Sequence, residues 1–224
     1  MFKYQAIIFI GPQGSGKGTQ ARLLIPKISA EYVEMGYVLR TIAASGTAFG
    51  DQIKQTIDGG NLVSDKILEK IITEKLATLS PDAPVIFDGV PRMLHQAEFL
   101  IADLKRLGRG AIATIFIDLP RDAGIQRILT RFSCQNCKAP KTYAGDDAAA
   151  CARCGGVMVR RVDDSSEEAV ERRLDTYERE TLPVLDYLKT TTDFFTIDGR
   201  PSVPEVEKQI DNCLEIEHAK TPSN

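Results

Sequence analysis

The side chains that could do chemistry gather in two stretches and around one carboxylate. The run Gly11-Pro12-Gln13-Gly14-Ser15-Gly16-Lys17-Gly18-Thr19 follows directly on the apolar run Ala6-Ile7-Ile8-Phe9-Ile10. Glycines allow positive φ and let the backbone come within hydrogen-bonding range of an anion. Successive N–H groups, with the positive end of a following helix, then form a phosphate cradle. Lys17 would supply a point charge for the outer phosphates, and a nearby hydroxyl would serve a Mg²⁺ shell. A plain glycine-rich turn needs no lysine at this offset. The strict pattern has Ser or Thr straight after the lysine, whereas here Gly18 precedes Thr19. The second stretch is Cys134-x2-Cys137 with Cys151-x2-Cys154, a four-thiolate spacing suited to tetrahedral Zn²⁺. An all-cysteine set leaves no open position, so the expected metal is structural. The carboxylate is Asp88, which ends the apolar run Pro84-Val85-Ile86-Phe87-Asp88.

These groups need a scaffold, and the chain alternates short apolar runs with helical patterns. Besides residues 6–10 and 84–88, the runs are 113–118 and 193–198, with a weaker candidate at 32–34. Near-continuous apolar, β-branched runs of this length suit strands buried on both faces of a parallel sheet. Helical patterns are expected over 19–25, 67–79, 94–107, 123–130, 167–188 and 203–217, with Pro26 ending or kinking the first. The fold class is therefore α/β, an open parallel sheet flanked by helices, whose ligands lie at the carboxyl ends of the strands. Two segments do not fit the alternation. Residues 34–64 read as helical without a strand, and 132–166 hold four cysteines. Both are expected to be mobile inserts on a core formed by 1–33, 65–131 and 167–224.

The 224 residues are 43% hydrophobic and 26% charged, with a net charge of −3. That balance leaves no electrostatic footprint for nucleic acid or an anionic membrane. No run approaches a membrane span, and the N-terminal apolar run reads as a strand, not a signal peptide. The expectation is a cytoplasmic protein, where disulfides are the weaker reading of the cysteines. Cys213 lies in an amphipathic helix pattern as an inert thiol, and His95 and His218 match no ligand spacing.

Taken in order along the chain, the motifs resemble those of adenylate kinases and, more broadly, nucleoside monophosphate kinases. They are the phosphate loop, Met35-Gly36-Tyr37-Val38-Leu39-Arg40, the stretch Gly60-Asn61-Leu62-Val63-Ser64-Asp65, Asp88-Gly89-Val90-Pro91-Arg92 with Gln96-Ala97, Arg161 to Asp164, Arg173-Leu174, and Tyr177 to Pro183. The resemblance implies a P-loop NTPase-type fold and reversible phosphoryl transfer from ATP to a monophosphate, by default AMP. It assigns Gly14, Ser15, Gly16, Lys17, Gly18, Thr19, Arg127, Arg131 and Pro201 to ATP. To the acceptor it assigns Met35, Arg40, Asn61, Leu62, Val63, Gly89, Val90, Pro91, Arg92, Gln96, Arg161 and Arg173. Lys17, Asp88, Arg92, Arg131, Arg161 and Arg173 would carry the transfer, with Asp88 orienting Mg²⁺ through its waters. By the same resemblance, the cysteine segment is a lid structured by Zn²⁺, and the protein is a monomer.

Planar arginine forks suit phosphates, and phosphoryl transfer depends on positioning and charge stabilisation. Arg22, Arg106 and Arg172 sit at no motif position and are expected on solvated helix faces. The chain departs from the family pattern at Gln13, usually Pro, and at Met35 and Tyr37, usually Thr and Asp. Val90 and Met93 depart as well. Those changes surround the acceptor base, so UMP, CMP or GMP stays open as acceptor. A nucleotide-binding regulatory protein without turnover is the reading from another class.

Overall fold

The computed structural model describes residues 2–59, 61–136, 140–142, 150–160 and 166–216, with only the backbone at 140–142. Its centre is a parallel sheet of β1 (Ala6–Ile10), β2 (Glu31–Glu34), β3 (Val85–Asp88), β4 (Ile112–Asp118) and β8 (Asp193–Asp198), in the order β2-β3-β1-β4-β8. Every residue of β1 is buried, and the strand's two-residue period divides them between two cores. Ala6, Ile8 and Ile10 pack with α4 (Asp65–Ala77), α5 (Leu94–Arg106) and α8 (Val184–Thr191). Ile7 and Phe9 pack with α1 (Lys17–Ile28) and α9 (Val203–Cys213). A strand covered on both faces must be apolar throughout, which is why these runs do not alternate.

The sheet order places the site. From β1 the chain builds β2 and β3 on one side, then crosses to β4 and β8 on the other. The reversal lies beside β1, where open α/β sheets form their crevice. Phe9 pairs in register with Asp88, so the phosphate loop and the carboxylate leave the same edge.

Two segments stand outside this layering. One holds α2 (Met35–Ala43) and α3 (Ala48–Asp58), with a satellite cluster of Ala43, Ile53 and Val63. The other is an antiparallel sheet of β5 (Arg131–Cys134), β6 (Pro140–Thr142) and β7 (Met158–Val159), reached from β4 through α6 (Arg121–Leu129).

Two helical expectations need correction. Pro26 does not end α1, which runs on to Ile28. The missing donor falls in the last turn, where the Ser29 and Ala30 N–H groups close on the Ile25 carbonyl. The single helix expected over 167–188 is instead α7 (Glu167–Thr176), a π-helical turn (Tyr177–Thr181) and α8. Pro183 lacks an N–H to continue the first ladder, and the wider turn ahead of it takes up the extra residue. No described helix is long and apolar enough to cross a membrane.

Candidate active site

A cleft of about 940 Å³ runs along the carboxyl edge of the sheet. One end is the phosphate loop. Gly14 has φ +83°, and a Cβ there would stand 2.8 Å from the Gly124 carbonyl oxygen, so turn and packing both demand glycine. The loop delivers Lys17 as the first residue of α1, whose first turn carries no acidic side chain to compete for an anion. Lys17 Nζ donates to the carbonyls of Gly11 at 2.8 Å and Pro12 at 2.7 Å. Burial pushes its pKa down to about 8; Asp88 opposes that, while Arg92, Arg131 and Arg173 push it further down. Gly14, Ser15, Gly16, Gly18, Thr19, Arg127, Arg131 and Pro201 share this wall with Lys17. Arg127 is fixed there by donating to the Gly199 carbonyl at 2.8 Å and the Arg200 carbonyl at 3.1 Å.

Asp88 sits in the middle, buried at the end of β3. Tyr32, on the neighbouring strand, donates its hydroxyl to Asp88 Oδ2 at 3.0 Å. Burial pushes the Tyr32 phenol well above its ordinary pKa, with the Asp88 and Glu34 carboxylates acting in the same direction, so it remains a donor. A Cβ on Gly18 would lie 3.0 Å from that same oxygen. The departure from the strict loop pattern thus has a local cause: the carboxylate approaches the helix where a side chain would stand. One carboxylate beside the loop is a hard oxygen donor that suits Mg²⁺, which keeps most of its waters.

The other end gathers Met35, Arg40, Asn61, Leu62, Val63, Gly89, Arg92, Gln96 and Arg173. Arg92 Nε donates to the Gly89 carbonyl at 3.0 Å. The Arg92 carbonyl in turn accepts from the Thr181 hydroxyl at 2.9 Å, so the π-helical turn braces this arginine. Gln96 is buried; its Oε1 accepts from the Arg92 N–H at 2.9 Å and its Nε2 donates to Asp65 at 3.0 Å. Val90 and Pro91 are not part of the cleft lining. Val90 is packed into the core with Met35 and Ala97, and Pro91 is buried behind it. Arg161 lies outside the described residues.

Three cleft residues escaped the sequence reading. Arg22 is not on a solvated face: it lies in the cleft wall, 2.5 Å from Glu34, with its guanidinium over the Tyr32 ring at 5.2 Å. Glu34 also meets Arg40 at 3.3 Å, a carboxylate set among the arginines of an anion cleft. Arg160 donates to the Leu129 carbonyl at 3.0 Å and covers the Phe132 ring at 5.2 Å. Register held the missing signal for two of them, since Glu34 pairs with Asp88 across β2 and β3, and Arg22 follows the loop by little more than one helical turn. Arg106 and Arg172 are exposed as expected.

Away from the phosphate loop, Cys134, Cys151 and Cys154 bring their sulfurs within 4.8 Å of one another. The Cys134 and Cys154 sulfurs are 3.4 Å apart. Tetrahedral zinc with bonds of about 2.3 Å requires sulfurs about 3.8 Å apart, so this donor set fits the metal. Cys137 lies outside the described residues. Cys213 is half-buried against the core, and burial pushes its thiol pKa up.

The adenylate kinase family model matches residues 9–193. Curated relatives include the adenylate kinase of Archaeoglobus fulgidus, 36% identical over 93% of this chain and 97% of its own length. That of Petrotoga mobilis is 35% identical over 93% and 96%, and that of Fervidobacterium nodosum 34% over 93% and 96%. With a phosphate loop at one end of the cleft, an arginine pair and a glutamine at the other, and similarity spanning both, the chain belongs to the adenylate kinase family.

Proposed function

We propose that the protein transfers the γ-phosphoryl group of ATP to AMP, giving two ADP, and catalyses the reverse reaction. The observation that carries this is the two-ended cleft: Lys17 and the loop at one end, Arg40, Arg92 and Gln96 at the other, with Asp88 between. A binding module for one nucleotide needs no second phosphate clamp. Lys17 and the loop amides hold the triphosphate, and Arg127 flanks the donor nucleoside beside Pro201. Arg40 and Arg92 hold the acceptor phosphate, and Gln96 meets its base. Arg131, Arg161 and Arg173 neutralise charge that spreads over the transferring group. Mg²⁺, when bound with ATP, supplies charge neutralisation across the phosphates, and Asp88 holds its water shell. The acceptor phosphate is already a nucleophile and needs no general base.

Water must be kept from the γ-phosphoryl group while two nucleotides enter and leave. Segments 34–64 and 132–166 are the candidates for this movement, since their described residues after Glu34 lie outside the parallel sheet. Zn²⁺ held by Cys134, Cys137, Cys151 and Cys154 would stiffen the second as a lid. The reading is completed by a cytoplasmic monomer. A coupled assay with ATP against AMP, GMP, CMP and UMP tests the reading. AMP should have the highest kcat/KM, whereas preference for another monophosphate would redirect the assignment, and no turnover with any would reject it.

A further inference from the structure

We infer that Asp65 is a positioning residue that decides which kind of base the acceptor carries, by fixing which way up the Gln96 amide lies. The inference rests on the reading that Gln96 meets the acceptor base. A primary amide offers a donor and an acceptor side by side, and turning it over exchanges them. Here both inner partners dictate the same orientation. The Arg92 N–H can only donate, so it takes Oε1, and the Asp65 carboxylate can only accept, so it takes Nε2. Packing holds the arrangement: Asp65 opens α4, Gln96 lies in the first turn of α5, and Leu68, Ile72, Ala97 and Leu100 bury the two helices against one core.

Oε1 can accept two hydrogen bonds and Nε2 can donate two. After the inner pair, one acceptor site and one N–H remain, in a fixed order, on a residue that lines the cleft. Adenine and cytosine present an exocyclic amino group next to an unprotonated ring nitrogen, a donor beside an acceptor. Guanine and uracil present an oxo group next to a ring N–H, which is the reverse order. A ring whose place is set by the phosphate clamp can satisfy a locked amide in one order only. An amide free to turn over satisfies both. The Asp65–Gln96 bond is therefore a selector between amino and oxo bases, and Asp65 exerts it without touching the nucleotide. His95 Nδ1 stands 3.7 Å from the other Asp65 oxygen, too far for a hydrogen bond, and on the exposed side.

Four proteins test this in one assay of kcat/KM for AMP and GMP: the parent, Asp65→Ala, Asp65→Asn and Gln96→Leu. The Asp65→Asn side chain can accept from Nε2 or, turned over, donate to Oε1, so it keeps the packing but not the lock and should lower the AMP-over-GMP ratio as far as Asp65→Ala does. Asp65→Ala should lower that ratio about tenfold, the scale of one orienting hydrogen bond, mainly through the KM of the monophosphates. The KM for ATP should not move in any variant, which a general loosening of the fold would not allow. Gln96→Leu should lose most of the ratio. If Gln96→Leu keeps it, the base is read elsewhere and the underlying reading falls. If Gln96→Leu loses it while Asp65→Ala keeps it, that reading stands and the role of Asp65 is overturned. Should Asp65→Ala fail to fold, an unaltered ratio in a folded Asp65→Asn protein would equally overturn it.

Discussion

At the sheet edge, Lys17 follows a strand through the phosphate loop and Asp88 ends one, and the side chains of both strands are enclosed, Ile7, Ile8, Phe9, Ile86 and Phe87 among them. In the cysteine segment, the hydrophobic cluster among the described residues is Phe132, Cys134, Cys151 and Met158, two of them thiols. The first region places charge by mass of packing, because a close-packed floor resists sub-ångström shifts. The second has few apolar side chains among its described residues, and its three close thiols fit a metal that would supply the order that packing does not. A structural zinc in a small domain supplies about 10–16 kcal/mol of apparent binding energy, which becomes local folding energy. Perturbing the sheet edge should therefore alter chemistry and spare the fold, while perturbing the cysteine segment should do the reverse.

The sharpest break is at Lys17. Lys17→Ala should lower kcat by about 10³-fold, as for the loss of a charge aimed at the transition state, with the melting temperature close to the parent's. A large fall in melting temperature would erase the contrast between the regions.

The pH profile sharpens the same point. A lysine whose pKa is lowered to about 8 is charged below that pH and neutral above it. In the free enzyme kcat/KM for ATP should thus be level below about pH 8 and fall about tenfold per unit above it. In the bound complex the phosphates favour the charged form, so kcat should fall later. The sign for stability is opposite. Between about pH 8 and the ordinary lysine range the unfolded chain holds the proton that the native chain has lost, so Lys17 lessens its penalty on folding as pH rises. Superimposed pH profiles for kcat and kcat/KM would count against this assignment.

For the cysteine segment, Cys134→Ser should abolish stoichiometric zinc, lower the melting temperature by several degrees and reduce kcat by less than about tenfold. Elemental analysis and calorimetry read both effects. Natively purified parent protein without metal would remove the basis of the comparison.

The smallest effect belongs to Tyr32. Tyr32→Phe removes the hydroxyl from Asp88 Oδ2 and leaves the ring under Arg22. A fall of about threefold in kcat with a higher Mg²⁺ requirement is expected, and an unchanged Mg²⁺ titration would dismiss the hydroxyl as a positioning group.

Strands and motifs were legible because their signals are local. An apolar run such as Ala6–Ile10 has no other use, and a lysine at the end of a glycine loop has a specific one. What stayed hidden depends on contacts across the fold. Glu34 reads as an ordinary strand residue until β2 pairs with β3 and turns it toward Arg22 and Arg40. Arg22 has the helix-face spacing of a solvated arginine, and its Glu34 partner and the Tyr32 ring beneath it show otherwise. Val90 sits inside a cleft motif, yet the turn at Gly89 sends it to the core. The break at Pro183 was readable from proline chemistry alone. The bracing of Arg92 by Thr181 was not, because it joins residues far apart in the chain.

The central claim is that one cleft holds donor and acceptor together for direct transfer. Its most direct measurement follows the label from ATP carrying a labelled γ-phosphate, with AMP and Mg²⁺ and the parent enzyme in excess of substrate. The prediction is that label leaves ATP and arrives as the β-phosphate of ADP, with two ADP formed per AMP consumed, one of them labelled, and negligible free phosphate. Label released chiefly as inorganic phosphate, at a rate indifferent to AMP, would contradict it.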